Sequence, residues 1–303
     1  MPNHHRGGWH LTGTLGTLAA SLGAARMLNL DAQSTLMAMG IGCTQAAGMQ
    51  QNRGSDCKSL HAGKSAYHGV LAATLAANGI NSSPEILEGN LGFTRVYSTT
   101  QNLDSLTKEL GREWLITKNG YKPYSCSVVL HPLIDACIGV SQKSQVPATE
   151  IAKFEVFVHP DVIRITGVDK PGSGLMSKFS ANHAAAVSYL DRAGGVPEFT
   201  NEKSQDPLVI SLRQLISIKS SPQLNLDQAI AKITTKSGTQ FEITIDHAKG
   251  TVQNPMSDAD IEQKFIQNAK ACLSNDKTQR ILSAVWNLEQ LGDVNQLTRL
   301  YAE

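Results

Sequence analysis

Small and apolar residues dominate the early part of the chain: positions 11–29 are built of Ala, Gly, Thr and Leu around a single charge, Arg26. A run so poor in bulky side chains predicts a helix that packs close to its neighbours, because side-chain size at the contact sets the distance between helix axes. Asp31 is placed as the N-cap of a second helical stretch through Met39. Residues 65–78 repeat the theme, with Ala66, Val70, Leu71, Leu75 and Ala76 at helical spacing and Gly79 as a stop signal. After Lys118 the period changes. Residues 151–159 alternate apolar and polar side chains as a half-buried strand does, and 229–235 with 239–245 read as a hairpin turning at Ser237-Gly238. Between these strands lie a Gly/Pro/Ser-rich loop over 170–177 and a helix near 179–190. Helical spacing then resumes: Ser257 and Asp260 are spaced as a capping box ahead of 261–273, and 277–291 places Ile281, Leu282, Val285 and Leu288 on one face.

This order predicts a mainly α fold with an inserted α+β lid domain. The expected division is a helical domain over 1–118, the α+β lid over 119–252, and a helical return over 253–303 that packs back on the first block. No internal repeat or low-complexity tract interrupts it.

Composition narrows the class. With 303 residues, 41% hydrophobic and 17% charged, the chain has the length of about two domains. The net charge of +1, without a block of like charges, leaves no electrostatic footprint for a nucleic acid or an anionic membrane, so neither partner is expected. The five cysteines, at 43, 57, 126, 137 and 272, are odd in number and include no Cys-x-x-Cys pair. That argues against a disulfide framework, a zinc knuckle or an iron-sulfur cluster, and it points to a reducing compartment: the cytoplasm, or the mitochondrion in a eukaryote. His4, His5 and Arg6 ahead of the uncharged run 11–25 imitate a secretory signal, but Thr12, Thr14, Thr17, Ser21 and the interspersed glycines make that run too polar for a signal core or a membrane span. His4 and His5 read as tail.

Four segments carry the candidate chemistry: 7–14 with His10, 56–63 with Lys58 and His61, 119–126 with Lys122, and 129–132 with His131. Each sets a His or Lys beside Gly, Pro or a helix boundary, where a side chain can face a cleft. The pattern suits an anionic substrate.

The stretches Gly8-Trp9-His10-Leu11-Thr12-Gly13-Thr14, Lys58-Ser59-Leu60-His61-Ala62-Gly63, Ile86-Leu87-Glu88-Gly89 with Gly92-Phe93, Lys122-Pro123-Tyr124-Ser125-Cys126, His131-Pro132-Leu133-Ile134-Asp135-Ala136 and Asn254-Pro255-Met256-Ser257 with Lys264-Phe265 are weak singly. In this order and spacing they make essentially the whole chain resemble the MmgE/PrpD superfamily, which includes 2-methylcitrate dehydratase, cis-aconitate decarboxylase and iminodisuccinate epimerase. The resemblance implies a helical domain interrupted by an α+β lid, a homodimer, and a small polycarboxylate substrate. It also implies a further helical segment ahead of the matched stretches, supplying an acidic residue and another histidine. The chain departs from the pattern at Leu11, where Pro is usual, and at His183, where the decarboxylase branch carries a tyrosine.

Removing water, carbon dioxide or a proton next to a carboxylate needs positive charge and a proton shuttle. Lys58 is expected as carboxylate clamp or general acid, His10 as proton donor or substrate ligand, His131 as base, and Lys122 as supporting charge. His61, three residues from Lys58 on one helix face, is expected to shape that charge at the substrate-binding site, and His183 to replace the tyrosine or to be a plain lid residue. Neither a metal nor another cofactor is expected, Lys and His donors taking the place of a Lewis acid. The competing reading of His10 and His131 is a helix cap or a core hydrogen-bonding group, and of Cys57 an inert thiol. The leading expectation is a lyase dehydrating a 2-methylcitrate-like hydroxy-polycarboxylate. Its alternatives are a cis-aconitate-type decarboxylase, an iminodisuccinate-type epimerase, or a truncated non-catalytic remnant.

Overall fold

Helices made largely of small residues build the first of the two units into which the chain divides, Met1–Trp114. The computed structural model describes residues 2–302. A short α1 (Pro2–Arg6) precedes α2 (Leu11–Met27), α3 (Ala32–Gln45) and α4 (Asp56–Ala77), and α5 (Phe93–Tyr97) follows. The buried face of α2 is Gly13, Thr14, Thr17, Ser21 and Ala25, and it meets Ser65, Gly69, Ala72 and Ala76 of α4. Close approach is obligatory at Gly69, where an added Cβ would lie 2.6 Å from the carbonyl carbon of Ala20. The polar atoms trapped by this approach bond one another: the Ser65 hydroxyl donates to the Thr12 carbonyl at 2.7 Å and lies 3.1 Å from the Thr17 hydroxyl. Leu15 and Leu18 turn the other way and half-bury against Cys43, Ala46 and Phe93, while Leu22 stays 40% exposed. Asp31 caps α3 as expected, accepting from the Ser34 amide at 2.7 Å. Helix α4 begins at Asp56, well before the apolar spacing starts, which puts Lys58 and His61 in its first two turns.

The second unit, Leu115–Glu303, is built around a four-stranded mixed sheet of order β2-β1-β3-β4. Helix α6 (His131–Ser144) lies against this sheet and leads into β1 (Ile151–Val158). After α7 (Pro160–Ile165), α8 (Gly174–Ser177), α9 (Ala181–Asp191), α10 (Asn201–Gln205) and α11 (Pro207–Leu215), β2 (Ile216–Ser220) returns parallel to β1. The hairpin of β3 (Ala229–Thr235) and β4 (Gln240–Ile245) then pairs antiparallel, β3 against β1, and turns at Gly238 with φ of 88°. Phe154, Val156 and Val158 of β1, Leu133, Ile134 and Val140 of α6, and Val187 of α9 are all 0% exposed and share one core with Ile233.

Three more helices end the unit: α12 (Asp258–Ala269), α13 (Asn275–Trp286) and α14 (Asn295–Ala302). The capping box forms, Ser257 accepting from the Asp260 amide and Asp260 from the Ser257 amide. These helices belong to the second unit, whose boundary with the first falls at 114/115. The physical reason is that Lys264 donates to the Lys122 carbonyl at 2.6 Å and Asp260 pairs with Lys249, tying α12 to the α+β part. The observed architecture is mainly helical with one small mixed sheet. No helix among the described residues is long and apolar enough to cross a membrane.

Candidate functional site

In the first unit, α2 and α4 bring their N-terminal ends together. His10 is the N-cap residue of α2 but makes no side-chain capping bond. Its amide donates instead to the Gly48 carbonyl at 3.0 Å, and its ring Nδ1 lies 2.8 Å from Nδ1 of His61. The ring centroids are 5.0 Å apart. His61 is 7% exposed, whereas the His10 ring is half-buried. Burial lowers the pKa of His10, and the charges of His61, Lys58, Arg53 and His5 lower it further. Arg53 hydrogen-bonds the Gln50 side chain, which itself donates to the Trp9 carbonyl at 2.9 Å. A cavity of about 440 Å³ opens beside them, lined by Gly7, Gly8, Trp9, Met49, Gln50 and Arg53. The arrangement is a cluster of basic groups around the half-buried His10 ring.

The second unit carries Lys122 and His131 on a separate cavity of about 610 Å³, which Lys118, Pro132, Asp227 and Lys249 also line. Lys122 donates to the Cys126 carbonyl at 2.7 Å. His131 is the first residue of α6 and is 2% exposed, with Tyr124 packed edge-on to its ring at 5.4 Å between centroids. Burial, together with the charges of Lys122 and Lys264, pulls its pKa down to about 3, and its Nε2 has no hydrogen-bond partner. These surroundings hold the ring in its neutral form. One turn on, Asp135 accepts from the Tyr124 phenol and from the Lys249 amide at 2.7 Å. Burial raises the Asp135 pKa, while these two bonds and the Lys249 charge oppose the rise. Burial likewise pushes the Tyr124 phenol up, and the neighbouring Asp135 adds to it. Lys249 closes the chain with an ion pair to Asp260 at 2.6 Å, and with Ser257 it holds that carboxyl at about 2.

The sequence candidates therefore fall into two groups, His10, Lys58 and His61 in one unit, Lys122 and His131 in the other. His183 joins neither. It is 0% exposed on α9, its Nε2 is 2.9 Å from the Glu198 carbonyl and its ring lies against Phe199. Packing encloses the side chain in this structure. Sequence reasoning missed Arg53, Tyr124, Asp135, Lys249 and Lys264 as partners of these groups. Asp135 had a signal in its i, i+4 relation to His131, Tyr124 in its place between Lys122 and Cys126, and Lys264 in the Lys264-Phe265 match; Lys249 had none. Among the described residues no group of three or more His, Cys, Asp or Glu side chains is placed to hold a metal ion.

Comparison with known proteins adds an independent observation. The MmgE/PrpD N-terminal domain matches residues 1–106 and the MmgE/PrpD C-terminal domain matches residues 124–290. Cis-aconitate decarboxylase of Mus musculus is 27% identical over 306 residues, covering 96% of this chain and 62% of the relative. The Homo sapiens protein of that name is 26% identical over 308 residues, covering 96% and 62%, and that of Aspergillus terreus strain NIH 2624 is 24% identical over 317 residues, covering 97% and 64%. The chain spans about six-tenths of the length of these relatives.

Proposed function

Because the chain belongs to the MmgE/PrpD family, we propose that it serves lyase chemistry on a small polycarboxylate, with loss of carbon dioxide from a cis-aconitate-like triacid as the first reaction to test. The observation that carries this reading is the His10, His61 and Lys58 cluster with Arg53 beside it. Loss of a carboxyl group next to an unsaturated or carboxylated carbon leaves an electron pair that spreads onto neighbouring oxygens. Lys58 is suited to hold that charge, and a preorganised donor of this kind is worth about 3 to 4 kcal/mol. His10, whose Nδ1 is taken by His61, is suited to return a proton to carbon through Nε2, a step worth roughly 10²- to 10⁴-fold. Lys118 and Lys122 give the larger cavity a charge that suits a carboxylate. The names of the relatives favour decarboxylation.

Dehydration of a 2-methylcitrate-like hydroxy acid is the second reading, favoured by His183, which stands where the resemblance to the decarboxylase branch calls for tyrosine. Product separates the two. Proton NMR of the purified chain in deuterated water with cis-aconitate, 2-methylcitrate and iminodisuccinate, beside a Lys58→Ala control, is expected to show carbon dioxide loss with deuterium entering the product from cis-aconitate. The control should lose about 10²-fold or more in kcat/KM. Conjugated alkene from 2-methylcitrate alone would select the dehydratase, and inert folded protein with all three acids would sink both.

A further inference from the structure

We propose that His10 and His61 work as one proton-sharing unit, in which His61 is a positioning residue that passes its Nδ1 proton to His10 as His10 gives its Nε2 proton to the substrate. The geometry starts from the Nδ1 to Nδ1 distance of 2.8 Å, which leaves room for a single proton between the rings. One Nδ1 must donate and the other accept. The contact therefore forms in the neutral pair and in the pair carrying one extra proton, and it breaks when both rings are charged.

Both rings are anchored where this contact requires. Gly48 accepts the His10 amide with its carbonyl, and a Cβ at Gly48 would stand 3.3 Å from His61 Nδ1 and 3.1 Å from the Gly13 Cα. A side chain there would crowd the pair. The bond to His61 is the only hydrogen bond of the His10 ring among the described residues, which leaves Nε2 of this half-buried ring available to a substrate. The charges bearing on His10 are His61 and Lys58 on α4, Arg53 in the preceding turn and His5 on α1. All are basic, so a bound polycarboxylate opposes them and favours the singly charged pair, loading the proton when the substrate arrives.

The transfer balances. In the loaded pair the His61 ring bears both protons and the His10 ring is neutral with hydrogen on Nε2. As the carbanion left by departing carbon dioxide takes the Nε2 proton to form a C–H bond, the Nδ1–H bond of His61 breaks and Nδ1–H of His10 forms. Two neutral rings and a protonated product remain. The same outcome follows if the charge starts on His10, so the pair donates from Nε2 wherever the proton rests. His61 thereby touches the reaction only through His10.

This step rests on the lyase reading; the shared proton does not, and the test keeps them apart. Ring ¹⁵N NMR of the intact chain is followed against pH in the parent, in His61→Asn, whose amide can still bond at the Nδ1 position but cannot pass on a charge, and in His61→Gln, whose amide sits nearer the Nε2 position. The parent is expected to show two coupled steps shared by the two rings. His61→Asn should leave a single His10 step at higher pH. With cis-aconitate, His61→Asn should lower kcat about 10-fold or more with KM little changed, and His61→Gln should lower it further. A His10 titration that is identical in the parent and in both variants overturns the pairing, as does full kcat in His61→Asn. Coupled titration in a chain that turns over none of the three acids upholds the pairing and removes the lyase reading alone.

Discussion

At His131, burial and charge pull in the same direction. The ring is nearly sealed and Lys122 and Lys264 stand near it, so folding requires the neutral form. Its pKa falls from 6.5 in the unfolded chain to about 3 in the fold. Between these values the unfolded state binds the extra proton, so stability is complete above about pH 6.5 and is lost as the pH falls toward 3. Denaturant unfolding at a series of pH values should show a loss on the order of a few kcal/mol across this window, since a tenfold change in proton affinity corresponds to about 1.4 kcal/mol. His131→Asn should flatten the slope; an unchanged slope would place the acid sensitivity elsewhere. At this scale the sequence was informative about which residues bear charge and mute about their partners. The three-residue spacing of Lys58 and His61 was legible because one helix turn enforces it. The His10 to His61 contact crosses 51 positions and the Asp135 to Lys249 bond crosses 114, distances that no local pattern encodes.

Among elements, the pairing of α2 with α4 turns on which glycine is crowded. Gly69 faces Ala20 so closely that a methyl group must displace backbone, whereas Gly63, on the same helix, has nothing within 4 Å of an added Cβ. Gly69→Ala should therefore cost about 1 to 3 kcal/mol, or more if the helices separate, while Gly63→Ala should stabilise by roughly 0.4 to 1 kcal/mol through the unfolded chain. Thermal denaturation of the two variants reads both signs, and equal shifts would refute the close approach. Short-range signals carried well here: the Ser257 capping box, the Asp31 cap and the turn at Gly238 appear in the structure, and β1 forms, although its exposure does not alternate and its pairing is irregular between Ile151 and Lys153. Strand β2 escaped notice because its five residues pair only in parallel with a strand far back in the chain. Apolar spacing alone did not reach the first turns of α4, because their buried face includes His61 and Ser65, and a helix against a polar neighbour shows no apolar stripe.

For the whole molecule, the joint between the two units is the informative place. No α-helix or strand lies between α5 and α6, and nearly every residue over 101–120 is exposed, Leu110 at 78% and Ile116 at 79%. Lys108, Arg112 and Lys118 fall in this stretch. Limited trypsin digestion should cut here first, giving fragments of about 110 and 190 residues before either unit is degraded. First cuts within either unit, before this stretch is cleaved, would refute it. The sequence by itself determined the helical and mixed character of the two parts, the caps and turns, the family and the basic residues available for a carboxylate, because each depends on neighbours along the chain or on motif order. Only the tertiary structure decided that α12 joins the α+β part, that His183 is sealed in a core, that His131 is kept neutral, and that His10 and His61 share one proton's width of space. Those outcomes depend on burial and on distances across the fold, and both exist only once distant segments have packed.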